Sequence, residues 1–233
     1  DLSMNALEWN RDLTQPLTDI CTREQHLRDK PDRSKATVSF EEMQNGNIGL
    51  CVATQIARYV KPNNSLPGWN SQAQAWAQTQ GQLAWYKAME DAGEIIQIRT
   101  ATELTDHLNK WQNKADDEKL PIGYVLSLEG ADSIIDLSYL EKAYANGLRA
   151  LGPAHYGPGE YAFGTDSTGK FPQKGFELLD KMDELNMILD VTHLSDDCMK
   201  QAFDRYKSPV WASHHLTRTI TPHNRQLPDH FIS

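Results

Sequence analysis

The segments "IGYVLSLEG" (122–130), "LRALGPAH" (148–155), "MILDVTH" (187–193) and "SPVWASHH" (208–215) share one pattern: an apolar run that reaches an ionisable residue of metal-ligand type. Those residues are Glu129, His155, His193 and His214. A single histidine in such a place reads best as a packed structural group. Four successive runs ending this way differ, because each buried imidazole needs hydrogen-bond partners and a core gains nothing from several at one rim. Imidazoles and a carboxylate converging on a cavity are the ligand set of a divalent ion of the zinc type. His215, the strand neighbour of His214, should face the other way. His26, His107, His223 and His230 fall on helices or loops, where solvation is expected.

The elements that position these groups follow from the hydropathy pattern. "NIGLCVATQIA" (47–57) and "EIIQIRT" (94–100) read as further strands, and "DLSMNAL" at the start makes a seventh. Helical segments alternate with them: residues 71–92, "ELTDHLNKWQ" (103–112) behind a Thr100/Glu103 capping box, "LSYLEKAYAN" (137–146) stopped by Gly147, "GFELLDKMDELN" (175–186), and "DDCMKQAFDRY" (196–206) with Ser195 as N-cap. Near-continuous apolar strands separated by amphipathic helices predict an α/β fold with a parallel sheet. Seven strands point to a (β/α)8 TIM-type barrel whose eighth strand lies beyond Ser233. Residues 1–233 are then a single, C-terminally incomplete barrel domain. A doubly wound open sheet is the alternative, but no G-x-G-x-x-G follows any strand.

A formal charge of −9 argues against a nucleic-acid partner, and no apolar run approaches the roughly 20 residues of a membrane span. Cys21, Cys51 and Cys198 form no C-x-x-C pair or disulfide framework and read as buried thiols. That favours the cytoplasm, while a processed secreted form stays open. "GTDSTGKF" (164–171) begins like a phosphate-binding loop, but Phe171 stands where Ser or Thr should bind magnesium and no strand leads into Gly164. It reads as a Gly-rich active-site loop.

"SLEGADSI", "GLRALGPAH", "GFELLDKMDELNMILDVTHLS", "PVWASHH" and "HNRQLPD" resemble the motifs of the membrane (renal) dipeptidase family of zinc metallopeptidases, related to the amidohydrolase barrels. The resemblance spans residues 122–230. It implies that Glu129 bridges two zinc ions at the catalytic centre and that His193 and His214 bind one of them. It also implies that His155 contacts substrate and polarises the scissile carbonyl, and that Arg225 grips the substrate carboxylate, with Gln226 where the family has Asn. A planar guanidinium suits a carboxylate in two-pronged fashion. The family opens with D-x-H-x-D on strand one. Against it Asp1 aligns, while Ser3 and Asn5 stand at the two ligand positions, so one zinc is expected and the second site is in question. The family's eighth-strand aspartate, expected in proton transfer, would lie beyond Ser233.

The expected function is metal-dependent hydrolysis of the peptide bond of small dipeptides by a metal-activated water. The alternative is an inactive dipeptidase-like barrel that binds a small peptide or amino acid. A metal-free barrel with other chemistry has no second catalytic set in the sequence to support it. A small peptide is the expected partner, and a homodimer is compatible with the sequence.

Overall fold

The structure, a computed structural model, describes residues 2–62, 66–115 and 118–232. The chain forms two compact units, residues 1–55 with 81–126 and residues 56–80 with 127–233. The strand β3 (Ile122–Glu129) and the helix α4 (Gln72–Asp91) run from one into the other.

The first unit corrects one expectation at once. Leu2–Glu8 is a helix, α1, where a first strand was predicted. Ser3 is fully buried, its hydroxyl donating to Thr54 O at 3.2 Å and its backbone N to the Tyr86 hydroxyl at 3.4 Å. Asn5 Oδ1 accepts from Arg11 Nη1 at 2.7 Å. Asp1 lies outside the described residues. The alternation "DLSMNAL" fits a strand or a helical turn equally well over so few residues, and the helix packs Leu2 and Ser3 inward. The residues expected to carry a D-x-H-x-D pattern on a first strand thus form a helix instead.

The same unit holds α2 (Leu17–Glu24), α3 (Phe40–Asn45), β1 (Leu50–Ile56), β2 (Ile95–Gln97) and α5 (Ala101–Gln112). β2 pairs in parallel with β3, Ile95 opposite Ile122, and the Gly123 backbone N donates to Gly49 O across from the β1 side. The predicted capping box opens α5, with Thr100 and Glu103 each bonding the other's backbone. His107 on α5 is not solvated as expected. It is 7% exposed, with Nε2 2.6 Å from Gly49 O, and a Cβ on Gly123 would stand 2.5 Å from its ring. A stacked Tyr86–Tyr124 pair, 5.3 Å between ring centres, is buried in the core, as are Phe40 and Ile95.

A buried charge network ties α1 and α2 together. Glu24, 3% exposed, accepts from Arg11 Nε at 2.8 Å and Nη2 at 3.0 Å, from Arg33 Nη1 at 2.8 Å and from the Ser34 backbone N at 2.8 Å. The Arg11 hydrogen bond, working against burial, leads in lowering the Glu24 carboxyl from 4.5 to about 2.

In the second unit, β4 (Leu148–Gly152), β5 (Ile188–Asp190) and β6 (Val210–Trp211) run in parallel beside the end of β3, with Leu151 opposite Leu189 and Asp190 opposite Trp211. The helices α6 (Leu137–Ala145), α7 (Gln173–Glu184) and α8 (Asp196–Arg205) follow β3, β4 and β5. Leu128, Ala150, Leu151 and Leu189 on the strands are buried, as are Leu140, Leu178 and Met199 on the helices. Apolar positions on both strand faces are what a helix-covered parallel sheet needs. Ser195 caps α8 as predicted, accepting from the Cys198 backbone N at 3.3 Å. The three cysteines are free; Cys198 is buried and Cys21 and Cys51 are half-buried. Among the described residues no helix is long and apolar enough to cross a membrane.

The strands are shorter than their hydropathy suggests, and the difference matters for chemistry. Glu129 is the last residue of β3, but His155, His193 and His214 each sit three residues past the ends of β4, β5 and β6. They are loop residues at the C-terminal rim, where α/β folds place their sites. His215 accordingly follows a turn at Ser213–His214, outside any strand, and its facing is not set by strand alternation.

Candidate metal site

Glu129, His193 and His214 bring one ligating atom each to a common point. Glu129 Oε1 lies 3.0 Å from His193 Nε2 and 3.2 Å from His214 Nε2, and the two imidazole nitrogens are 3.2 Å apart. Ligands around a tetrahedral zinc with bonds of roughly 2.0–2.1 Å stand about 3.3 Å from one another. The three atoms thus already have close to the mutual spacing of a shared ion, and the set of two imidazoles and a carboxylate is chemically suited to one.

Local backbone geometry aims each of them. Gly130, at φ +82°, turns the chain immediately after Glu129, a conformation that costs glycine nothing, and its N donates to Gly152 O. His193 adopts φ +71° without being glycine, which costs about 1–2 kcal/mol. Such strain persists where surroundings over-determine it. Here Thr165, 6% exposed, puts its hydroxyl 3.2 Å from His193 Nδ1, and Thr192 N donates to Asp190 Oδ1 at 3.0 Å.

Asp190 organises His214. Its buried carboxylate takes the Ser213 hydroxyl proton on one oxygen and the backbone N of Thr192 and Ser213 on the other. Having donated to Asp190, the Ser213 hydroxyl accepts from His214 Nδ1 at 2.8 Å. Nδ1 therefore carries the proton, which leaves the Nε2 lone pair for an ion shared with Glu129. An outer carboxylate fixing the tautomer of a ligand histidine is a recurrent feature of metal sites. Asp190→Ala should weaken metal binding about 10–100-fold, read by titration against a chromophoric chelator; unchanged affinity would mean that the relay does not govern His214.

His155 completes the rim. Its Nε2 is 3.6 Å from Glu129 Oε1, and its ring packs 4.4 Å from His193 and 4.8 Å from Tyr156 between centres. Burial pushes its pKa down to about 4 despite the attraction of Glu129, so the two are not an ion pair at neutral pH. For Glu129, burial favours the neutral carboxyl, but the closeness of the His193 and His214 rings outweighs it and holds the group well below the ordinary carboxylate range.

Arg225 reaches the same rim. Its Nη2 donates to His214 O at 3.0 Å, and Asn224 anchors the loop by donating to Thr165 O at 2.8 Å. Arg225 Nη1 is buried with no hydrogen-bond partner among the described residues, a donor waiting for an acceptor. Gln226 accepts from the Leu216 backbone N at 2.7 Å and so braces this loop. The residues singled out from the sequence, Glu129, His155, His193, His214 and Arg225, all belong to the second unit. Sequence reasoning missed Asp190, Ser213, Thr165 and Arg58. The first two stood inside the quoted "LDVTH" and "WASHH", and Thr165 inside the rejected phosphate-loop look-alike.

A family model for membrane dipeptidases (peptidase family M19) matches residues 9–233. Dipeptidase tcpJ of Claviceps purpurea is 29% identical over 159 residues, 63% of this chain and 37% of that protein. An uncharacterized dipeptidase of Schizosaccharomyces pombe is 31% identical over 115 residues, 46% of this chain and 28% of its own. The chain therefore spans well under half the length of these two relatives. Among solved structures, a Rhodobacter sphaeroides metallopeptidase liganded with a phosphinate mimic of L-Ala-D-Ala superposes with a TM-score of 0.72 at 20% identity, covering 94% of this chain and 66% of the other. A Pseudomonas aeruginosa amidohydrolase gives 0.66 at 19%, covering 83% and 53%. Likeness at such identity speaks for the fold: α/β with a parallel sheet, of the TIM-like barrel kind. With a family match that runs from Trp9 to the last residue, the chain belongs to the membrane dipeptidase family of metallopeptidases.

Proposed function

We propose that the protein hydrolyses the peptide bond of small dipeptides at a divalent ion, zinc by its ligand chemistry, held by Glu129, His193 and His214. The observation that carries this reading is the convergence of those three ligating atoms within 3.0–3.2 Å of one another. When bound, such an ion lowers the pKa of its water to about 7 and polarises a carbonyl oxygen. The remaining work falls to side chains. Glu129 stays ionised and takes a catalytic part beside its ligand role. His155 faces the same point and serves the scissile carbonyl oxygen as it becomes an oxyanion. Arg225, through its unpartnered Nη1, grips the substrate carboxylate. The phosphinate bound by the Rhodobacter sphaeroides relative is a tetrahedral dipeptide mimic, in keeping with this division of labour. The alternative, a binding-only relative, rests on Ser3 and Asn5 and would bind such peptides without turning them over.

The test is a panel of dipeptides against the full-length protein, with and without added zinc. Turnover that disappears on chelation and returns with metal is expected; metal-independent turnover contradicts the reading. Arg225→Lys should lower kcat/KM for a dipeptide about tenfold to a hundredfold, the scale of a charge-assisted bond. It should leave the corresponding dipeptide amide almost unaffected. Equal slowing of both substrates would show that Arg225 is not the carboxylate clamp.

A further inference from the structure

Three histidines line this rim, and their outward nitrogens meet opposite kinds of partner. His193 and His214 present Nδ1 to hydroxyls, Thr165 at 3.2 Å and Ser213 at 2.8 Å. His155 presents Nδ1 to Arg58 Nη2 at 2.8 Å. A hydroxyl both gives and takes a proton, whereas a guanidinium only gives. Arg58 therefore requires a lone pair on His155 Nδ1. That excludes both the Nδ1–H tautomer and the doubly protonated ring, and leaves the proton on Nε2. His155 Nε2 points at the cluster, yet at 3.6 Å from Glu129 Oε1 it is beyond hydrogen-bonding distance. Its N–H is thus directed into the site and not spent on the carboxylate.

We propose that Arg58 is a positioning residue that sets the tautomer of His155, so that this ring donates an N–H to the carbonyl oxygen of the substrate while its two neighbours offer lone pairs to the ion. The proposal rests on the dipeptidase reading for the identity of that oxygen, though not for the tautomer. Arg58 is held for the task at several points. It lies two residues beyond β1, its carbonyl accepts from Trp69 N at 2.8 Å, and its Nη1 donates to Pro67 O at 3.3 Å. Val60 N in turn donates to Trp69 O at 2.9 Å, and Gly68 is the residue that lets the two segments close: a Cβ there would stand 2.6 Å from a Val60 methyl. Nothing in the motif-level reading marked Arg58. Its place follows from the 97-residue separation that the fold closes between it and His155.

The experiment begins with the ring nitrogens of the ¹⁵N-histidine-labelled full-length protein, metal loaded and without substrate. His155, assigned from a His155→Gln variant, should show an unprotonated Nδ1 and a protonated Nε2 at neutral pH. A protonated Nδ1 in the parent protein overturns the proposal outright, whether or not any dipeptide is hydrolysed. On a substrate found by the dipeptide panel, Arg58→Met, which keeps length but has no donor, should lower kcat about 10–100-fold with KM nearly unchanged. Arg58→Lys, which can still donate to Nδ1, should recover part of that loss. A rise in KM at constant kcat would assign Arg58 to substrate binding and overturn the positioning role, as would a kcat that Arg58→Met leaves intact. If no dipeptide is turned over by the parent, the dipeptidase reading fails while the ring-nitrogen result still decides the tautomer.

Discussion

His193→Ala is expected to leave a folded protein with no measurable dipeptide hydrolysis and no tightly bound metal. His193 is 3% exposed and supplies the Nε2 closest to Glu129 Oε1, at 3.0 Å. Removing it leaves two ligands, Glu129 and the exposed His214, neither of which encloses an ion. An ion in such a site lowers the barrier by several kcal/mol, so the loss should be on the order of a thousandfold or more. Alanine also relaxes nothing at φ +71°, because its Cβ meets the same steric conflict. The fold should therefore change little, which circular dichroism can verify. Full rate and full metal content in the variant would return His193 to the status of a packed histidine.

Glu24→Ala has the largest expected effect on stability. The carboxylate neutralises Arg11 and Arg33, whose side chains are 5% and 8% exposed. Without it buried Arg11 loses its ion pair while Arg33 keeps only Asp29, and removing one partner of such a buried network costs roughly 3–5 kcal/mol. In a chain of this size that lowers Tm by roughly 6–20 °C. The pH dependence follows from the direction of the shift. Because the folded carboxyl titrates lower than the unfolded one, its contribution is complete above about 4.5 and fades as pH falls from there through about 2. Denaturant midpoints at pH 7 and pH 3 should differ less in Glu24→Ala than in the parent. Equal differences would mean that Glu24 does not carry this acid sensitivity.

The candidate site was legible because metal chemistry uses few residue types and α/β folds put them at strand ends. Glu129, His193 and His214 could be named from that alone, as could the helices with their Thr100 and Ser195 caps. Strand lengths were not legible: hydropathy runs on through "DVTH" and "ASHH", although pairing stops at Asp190 and Trp211. Loop backbone with apolar side chains looks like strand to a pattern. "DLSMNAL" failed for the converse reason, being too short to show a period. His107 was taken as solvated because nothing local shows that Gly49 and Gly123 close over it. Arg58, Thr165 and Asp190 escaped for a related cause. They act on histidines through contacts across 97, 28 and, by way of Ser213, 23 residues of sequence. Such pairings exist only once the chain has folded.

The account stands or falls on where the ion sits. A crystal of the full-length, zinc-loaded protein, measured on both sides of the zinc absorption edge, locates that metal directly. The expected map has an anomalous peak bounded by Glu129 Oε1, His193 Nε2 and His214 Nε2, within about 2.0–2.2 Å of each. A peak elsewhere, or an active protein with none at that point, contradicts the assignment of these three residues.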